Sequence, residues 1–152
     1  MKLVPAILAV SALVAISAPA SAQFAKPEDA IKYRQSAMFI MAQNMGRLGA
    51  MAQGRMPFDA KVAADAAATA EFMAKLPWGA FGEGTDKGGN TRAKAEIWTD
   101  KAKFNEYAEK LQGETAKLNA AAKTGSLDNI KAALGGVGGT CKSCHDSFQA
   151  KL

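Results

Sequence analysis

The sequence lacks the features of several broad protein classes. β-Branched residues are few and no segment of useful length alternates apolar and polar residues, which excludes a sheet and favours an all-α chain. The formal net charge is only +5, and lysine and arginine are scattered among acidic residues, so no nucleic-acid partner is expected. Beyond the N-terminus no run is apolar enough to cross a bilayer, and we expect no membrane insertion.

The N-terminal 22 residues have the pattern of an export signal. A single lysine precedes an apolar run that ends in Ala20-Ser21-Ala22, the small residues at which a signal peptidase cleaves. A membrane anchor is the alternative, but the run is shorter than the roughly 20 residues that a spanning helix needs. We therefore predict a removed signal peptide over 1–22, a periplasmic location, and one domain over 23–152.

Four helical segments follow from apolar periodicity and from the residues that start and stop helices. They cover about residues 27–53, 59–76, 93–123 and the stretch after Ser126. Asp59 and Ser126 are the expected N-caps, and the glycine-rich connection over 78–91 is expected to be irregular. Each segment has one apolar stripe, which predicts packing around a shared core.

The residues in three of these apolar stripes indicate what the core of the bundle contains. On the first helix the stripe includes the charged Arg34, and on the second it is small and alanine-rich and is expected to include Val62, Ala66 and Phe72. On the last helix the inward positions occur at helical spacing and include both cysteines: Ile130, Leu134, Val137, Cys141, Cys144 and Phe148. Four glycines in the same helix, at 135, 136, 138 and 139, predict a bulky group against the backbone, since each weakens a helix by up to about 1 kcal/mol.

The Cys141-Lys142-Ser143-Cys144-His145 segment is the strongest signal in the chain. Two thiols three residues apart on a helix project to one side, as attachment to two porphyrin vinyl groups requires, and the adjacent histidine can reach the iron. The motif predicts one covalent haem c. The alternatives are a disulfide, a thioredoxin-like redox motif without its strand, and a zinc site whose three ligands are too close in sequence to complete it.

If haem is bound, His145 is the proximal iron ligand, because it is the only histidine in the chain. The other side of the iron can then take methionine, lysine, water, a gas or nothing. Met38 is the methionine of interest, since it lies one turn from Arg34, whose charge could pair with a haem propionate.

Four segments of the mature chain resemble cytochrome c′, the class II c-type cytochromes. They are QFAKPEDAIKYRQSAM (23–38), LPWGAFGEGT (76–85), AEIW (95–98) and CKSCHDSF (141–148). The resemblance implies an antiparallel four-helix bundle, often a homodimer, with covalent haem near one end. It implies thioether bonds at Cys141 and Cys144, His145 on iron, Arg34, Gln35 and Glu96 at the haem edge, and Met38, Trp78 and Phe81 near the distal face.

The same resemblance implies what the haem does. In cytochrome c′ the residue at the Met38 position crowds an open sixth site, so that five-coordinate, high-spin iron binds NO and CO, and the protein is not an enzyme. Electron transfer to an unknown redox partner is also expected. The alternative is a low-spin electron-transfer cytochrome in which Met38 is the sixth ligand. The chain departs from the family pattern at Gln149, where a basic residue is common beside the proximal histidine.

Overall fold

The computed structural model describes residues 23–151 and contains five α-helices and one short 3-10 helix. The predicted signal peptide lies outside the described residues. The α-helices are α1 (Pro27–Ala52), α2 (Ala60–Met73), α3 (Glu96–Thr99), α4 (Lys101–Lys123) and α5 (Leu127–Phe148), and the 3-10 helix is Pro77–Ala80.

The four long helices form a closed antiparallel bundle. Helix α1 packs on α2, α2 on α4, α4 on α5, and α5 on α1. Their inward faces meet in one apolar core, whose fully buried members include Leu48, Leu118, Ile130 and Val137. Burial of such a side chain contributes roughly 1.5–3 kcal/mol, and this core therefore holds the bundle together. The predicted all-α four-helix architecture is confirmed.

The predicted N-caps form as the sequence indicates. The Asp59 carboxylate accepts a hydrogen bond from the backbone N–H of Val62 at 3.0 Å, and the Ser126 hydroxyl accepts one from Asn129 at 3.3 Å. Each cap satisfies one of the N–H groups that a first helical turn leaves without a partner. Gly125 adopts a φ of 70° between α4 and α5, a conformation that glycine accepts at little cost.

The predicted third helix is two helices, which corrects the expected range of 93–123. The short α3 ends at Thr99, and Asp100 leaves the helical conformation with a φ of −122° and a ψ of 59°. Its carboxylate then accepts a hydrogen bond from Lys103 N at 3.3 Å and caps α4. The apolar period continues across the break, so periodicity alone did not reveal it.

The predicted stripe of α2 is wrong in part. Phe72 is 59% exposed and Val62 is 36% exposed, while alanines form the buried face: Ala63, Ala66, Ala67 and Ala70. Small side chains let α2 lie close to its neighbours, and the larger residues then have no room inside. The stripes of α1 and α5 agree with expectation, since Arg34 is buried and the two cysteines are half-buried on the inward side of α5.

One end of the bundle is closed by an aromatic cluster. Phe104 lies at its centre, with ring centroids 5.6 Å from Trp78, 4.8 Å from Phe81 and 5.4 Å from Phe148. Edge-to-face pairs of this kind stabilise by about 0.5–1.5 kcal/mol beyond their buried area. The cluster joins the connection after α2 to the ends of α4 and α5, and it packs against Cys144.

Over residues 23–151, no helix has the length and apolar character that a membrane span requires.

Replacement of Asp100 by alanine is expected to reduce the free energy of unfolding by about 1 kcal/mol, because α4 loses its side-chain N-cap. Chemical denaturation of the holoprotein measures the change. Asp65→Ala is the matched control, since Asp65 is an exposed carboxylate within α2 that pairs with Lys61 in solvent and does not cap a helix. Equal losses in both variants would contradict the role of Asp100 as a cap.

Candidate haem site

Two neighbouring cavities lie at the aromatic end of the bundle. The first has a volume of about 320 Å³, lies between α1, α4 and α5, and has a largely apolar lining that includes Met41, Met45, Leu111 and Cys141. The second has a volume of about 530 Å³ and lies between α1, the connection after α2 and the end of α5. Five residues line both cavities: Met38, Ala42, Trp78, Cys144 and His145.

The Cys-x-x-Cys-His segment lies within α5, and the helix continues through it to Phe148. Cys141 and Cys144 are free, half-buried thiols. Burial raises the pKa of the Cys141 thiol, and burial together with the neighbouring Cys141 raises the pKa of Cys144 to about 11. Both groups are therefore neutral thiols near pH 7, which is the form that addition to a vinyl group consumes.

His145 borders both cavities at the outer side of α5. The residue as a whole is exposed, but part of its ring is shielded, and this partial burial lowers the pKa of His145. The positive charge of Arg92 lowers it further, while Asp146 opposes the shift. The neutral imidazole, the form that binds a metal, is thus favoured.

One of the four helical glycines borders the first cavity. A Cβ atom built on Gly138 would meet no protein atom within 4 Å, so its missing side chain leaves room for a group that the protein does not supply. A Cβ on Gly136 would meet the carboxylate of Glu114, which is the far end of a flexible side chain and could move aside. The expected bulky group against the backbone is therefore consistent with Gly138 alone among the four glycines, because the others do not line either cavity.

These residues fit a covalently attached porphyrin. Two thiols and one imidazole on consecutive turns of a single helix border two contiguous cavities with apolar and aromatic walls, as a flat macrocycle with one iron ligand requires. Within the described part of the chain, no group of three or more His, Cys, Asp or Glu residues could hold a bare metal ion.

Met38, Trp78 and Phe81 are brought to the cavities as predicted for distal-face residues. Half-buried Met38 lies on α1 and lines both cavities together with His145 of α5. The Trp78 indole N–H donates to the Ala74 carbonyl at 2.6 Å, which fixes the ring, and Phe81 stacks on it with centroids 6.5 Å apart. Their approach to bound haem stays a prediction.

Arg34 borders the second cavity, but its guanidinium is directed into the connection after α2. Nη1 donates to the Ala80 carbonyl at 3.0 Å and to Thr85 Oγ1 at 2.9 Å. Nη2 donates to the Thr85 carbonyl at 2.7 Å and to Thr91 Oγ1 at 2.9 Å. The charge also lies 4.3 Å from the Phe81 ring centroid. Burial lowers the pKa of Arg34 to about 10, which leaves it charged at neutral pH.

The other two predicted edge residues differ in position. Gln35 lines the second cavity, and its amide nitrogen donates to the Asn90 carbonyl at 2.7 Å. Glu96 is exposed at the first residue of α3 and does not line either cavity, although the next residue, the buried Ile97, lines the second one. Its assignment to the haem edge remains a prediction without support from this geometry.

Sequence reasoning missed several residues that border the cavities, among them Thr91, Arg92 and Tyr107. Thr91 and Arg92 end the glycine-rich connection, and nothing in the local sequence shows where an irregular segment will lie. Tyr107 occupies a helical position between inward Phe104 and Leu111, so the period of α4 was the available signal. Gln149, the noted departure from the family pattern, lines the second cavity.

An all-α bundle whose last helix presents Cys-x-x-Cys-His to two contiguous cavities defines a c-type haem protein of the four-helix-bundle class. The chain belongs to the cytochrome c′ family, and residues 29–149 match the family model described as Cytochrome C'. The curated cytochrome c′ of Rubrivivax gelatinosus is 54% identical over 129 residues, which are 85% of this chain and 100% of that protein.

Solved structures agree with this assignment. The crystal structure of cytochrome c′ from Rubrivivax gelatinosus matches with a TM-score of 0.81 and 54% identity, covering 84% of this chain and 99% of that one. A nitric oxide complex of a cytochrome c prime variant from Alcaligenes xylosoxidans matches with a TM-score of 0.79 and 44% identity, covering 86% and 100%. Cytochromes c′ carry one covalently bound haem c, which is therefore the cofactor of this chain.

Replacement of Arg34 by methionine is expected to lower the free energy of unfolding by roughly 3 kcal/mol, because the buried acceptors in the connection lose their donors. Thermal or chemical unfolding measures the change. Arg47→Met is the control, since Arg47 is an exposed arginine of the same helix. A loss no larger than that of the control would contradict a structural role for Arg34.

Proposed function

We propose that this chain is a periplasmic monohaem cytochrome with five-coordinate, high-spin iron that binds NO and CO and also transfers electrons. Cys141 and Cys144 form the thioether bonds and His145 is the proximal ligand. A haem iron with an open position supplies a binding site for a small neutral gas and a one-electron redox couple. In this proposal the protein binds gases and carries electrons, and it does not catalyse a reaction in the ordinary enzymatic sense.

The apolar lining of the first cavity is the observation that best supports this proposal. The cavity volume of about 320 Å³ extends from His145 past Met38 toward Met41, Met45 and Leu111, and its lining is nearly all apolar. Bound haem would take up much of this space, and the apolar side chains left facing it would offer few hydrogen-bond donors to a ligand more polar than NO or CO. The nitric oxide complex of the Alcaligenes xylosoxidans variant supports gas binding in this family.

A specific observation also favours the second candidate, a low-spin electron-transfer cytochrome with Met38 on iron. Met38 and His145 lie on different helices and border the same two cavities, so a thioether sulfur is available near the iron position. Methionine–histidine ligation raises a haem reduction potential and suits a dedicated electron carrier. Both candidates have the same haem attachment and the same proximal ligand. They differ only in whether Met38 bonds to the iron.

Export and self-association belong to the same proposal. The 1–22 segment predicts secretion to the periplasm, where the two thiols would receive the haem. Large apolar side chains are exposed on α1 and α2, with Phe39 at 64%, Phe72 at 59% and Ile40 at 39%. A homodimer that covers part of this surface is consistent with those exposures.

Absorption spectra of the purified holoprotein, oxidised and reduced, with and without CO, distinguish the two candidates. The five-coordinate proposal predicts broad high-spin bands and a ferrous CO adduct that forms readily. A sharp low-spin α band, the long-wavelength ferric band of methionine-ligated haem and no CO adduct would instead establish Met38 as the sixth ligand.

Replacement of Met38 by alanine is expected to accelerate CO binding by about tenfold or more while the spectrum stays high-spin, because only a steric barrier is removed. Stopped-flow mixing with CO measures the rate. Met73→Ala is the control, since Met73 packs against the core and does not line either cavity. Conversion from a low-spin to a high-spin spectrum in Met38→Ala would overturn the proposal in favour of the alternative.

A further inference from the structure

The C-terminal end of α5 lacks the features that usually end a helix. Helix α5 ends at Phe148, and Gln149 is extended, with a φ of −120° and a ψ of 130°. No glycine follows in the left-handed conformation that satisfies the last carbonyls of many helices. The last turn also has no lysine or arginine of its own to complement the helix dipole. The end of α5 therefore needs hydrogen-bond donors from another part of the chain.

Lys94, in the connection before α3, supplies most of these donors. An α-helix leaves its last four carbonyls without partners inside the helix. In α5 the first of them, that of His145, accepts from the backbone N–H that follows the helix, at 3.0 Å. Lys94 Nζ donates to the carbonyls of Asp146 and Ser147 at 3.2 and 3.3 Å, and Lys94 N donates to that of Phe148 at 3.0 Å. Lys94 thus satisfies the other three terminal carbonyls.

The residues next to Lys94 fix its position relative to the end of α5. Ala93 forms an isolated antiparallel bridge with Gln149. The Arg92 side chain donates to the Ala150 carbonyl at 2.9 and 2.6 Å, and the Arg92 carbonyl accepts from Ala150 N at 2.8 Å. Backbone pairing therefore holds the connection against the end of the helix, and the half-buried Lys94 side chain starts from a fixed point.

The end of α5 matters because His145 lies in its last turn, three residues before Phe148. Helix ends fray, and the carbonyls that open first are the ones that Lys94 satisfies. If the last turn opened, the backbone of His145 would lose its regular conformation and the direction of its imidazole would change. A histidine that binds a metal depends on surrounding hydrogen bonds to fix its ring orientation. A group that keeps this turn closed therefore acts on the ligand without touching it.

We propose that Lys94 is a positioning residue for His145: its ammonium caps the C-terminus of α5 from the connection and keeps the turn that carries the iron ligand closed. The inference rests on the proposed role of His145 as the proximal ligand. Lys94 and Asp146 are 52 residues apart in sequence, so the cap joins two distant segments. It also gives the last turn of α5 the positive charge that its own sequence lacks.

Replacement of Lys94 by methionine tests the cap in the holoprotein. The variant loses the ammonium but keeps an unbranched apolar chain and the backbone N–H that bonds to the Phe148 carbonyl. Amide hydrogen exchange over residues 146–149 is expected to become about fivefold faster, because the helix end loses a favourable charge and two hydrogen bonds. The iron–histidine stretching band in the resonance Raman spectrum of the ferrous protein is expected to broaden and shift, because the imidazole is held less firmly.

Two further variants separate the cap from charge alone. Lys151→Met removes an exposed cation that lowers the pKa of the Asp146 carboxyl but donates no hydrogen bond to α5 within residues 23–151, and neither readout is expected to change. Lys94→Arg keeps a charged donor and is expected to retain both the slow exchange and the normal band. Equal exchange rates in Lys94→Met and Lys151→Met, or in Lys94→Met and Lys94→Arg, would overturn the cap. Faster exchange with an unchanged band would overturn the positioning of His145.

The two readouts also distinguish this inference from the proposed function. Absence of the iron–histidine band from the unaltered ferrous protein would contradict five-coordinate iron on His145, while hydrogen exchange would still decide whether Lys94 caps α5. A clear band that Lys94→Met leaves unchanged would overturn the inference and leave the proposed function intact. If Lys94→Met does not fold, the neutral donor of Lys94→Gln is compared with Lys94→Arg, and equal exchange rates in that pair would overturn the cap.

Discussion

The hydrogen bonds of the Arg34 guanidinium are the interaction on which the haem end of the bundle depends. The connection between the 3-10 helix and α3 contains four glycines and no helix of its own, so it starts with high conformational entropy. One buried side chain of α1 bonds to it at Ala80, Thr85 and Thr91. Arg92 follows Thr91 directly in the chain and lines the second cavity. The polar side of that cavity is therefore held in position by Arg34 of α1.

Side chains of different sizes form the interior at the two ends of the bundle. Near the loop between α4 and α5, alanines of α2 form the buried face, and the helices pack closely around Leu48 and Leu118. At the other end, aromatic rings line the cavities: Trp78, Phe81, Phe104, Tyr107 and Phe148. Rigid rings can form walls around a space that flexible aliphatic chains would fill. The close-packed end thus supplies stability and the aromatic end supplies room for a cofactor.

Much of this arrangement could be predicted from the sequence, and the failures have physical causes. The Cys141–His145 motif, the caps at Asp59 and Ser126 and the inward stripe of α5 depend on local spacing, which the sequence displays directly. The α2 face is alanine-rich as predicted, but Val62 and Phe72 were wrongly placed on it, because close helix packing leaves room inside only for alanine. The roles of Arg34 and Arg92 depend on where an irregular connection lies, and that position is set by contacts about 50 residues away in sequence.

The pairing of residues 148–150 with the connection has a consequence for the order of folding. The Phe148 carbonyl accepts a hydrogen bond from Lys94 N at 3.0 Å, Ala150 N donates to the Arg92 carbonyl at 2.8 Å, and the Ala150 carbonyl accepts from the Arg92 side chain. Arg92 and Ala150 are 58 residues apart in sequence, so closing this contact costs more chain entropy than any contact within one helix. The rim of the second cavity is therefore expected to form late in folding, after α4 and α5 have packed against each other.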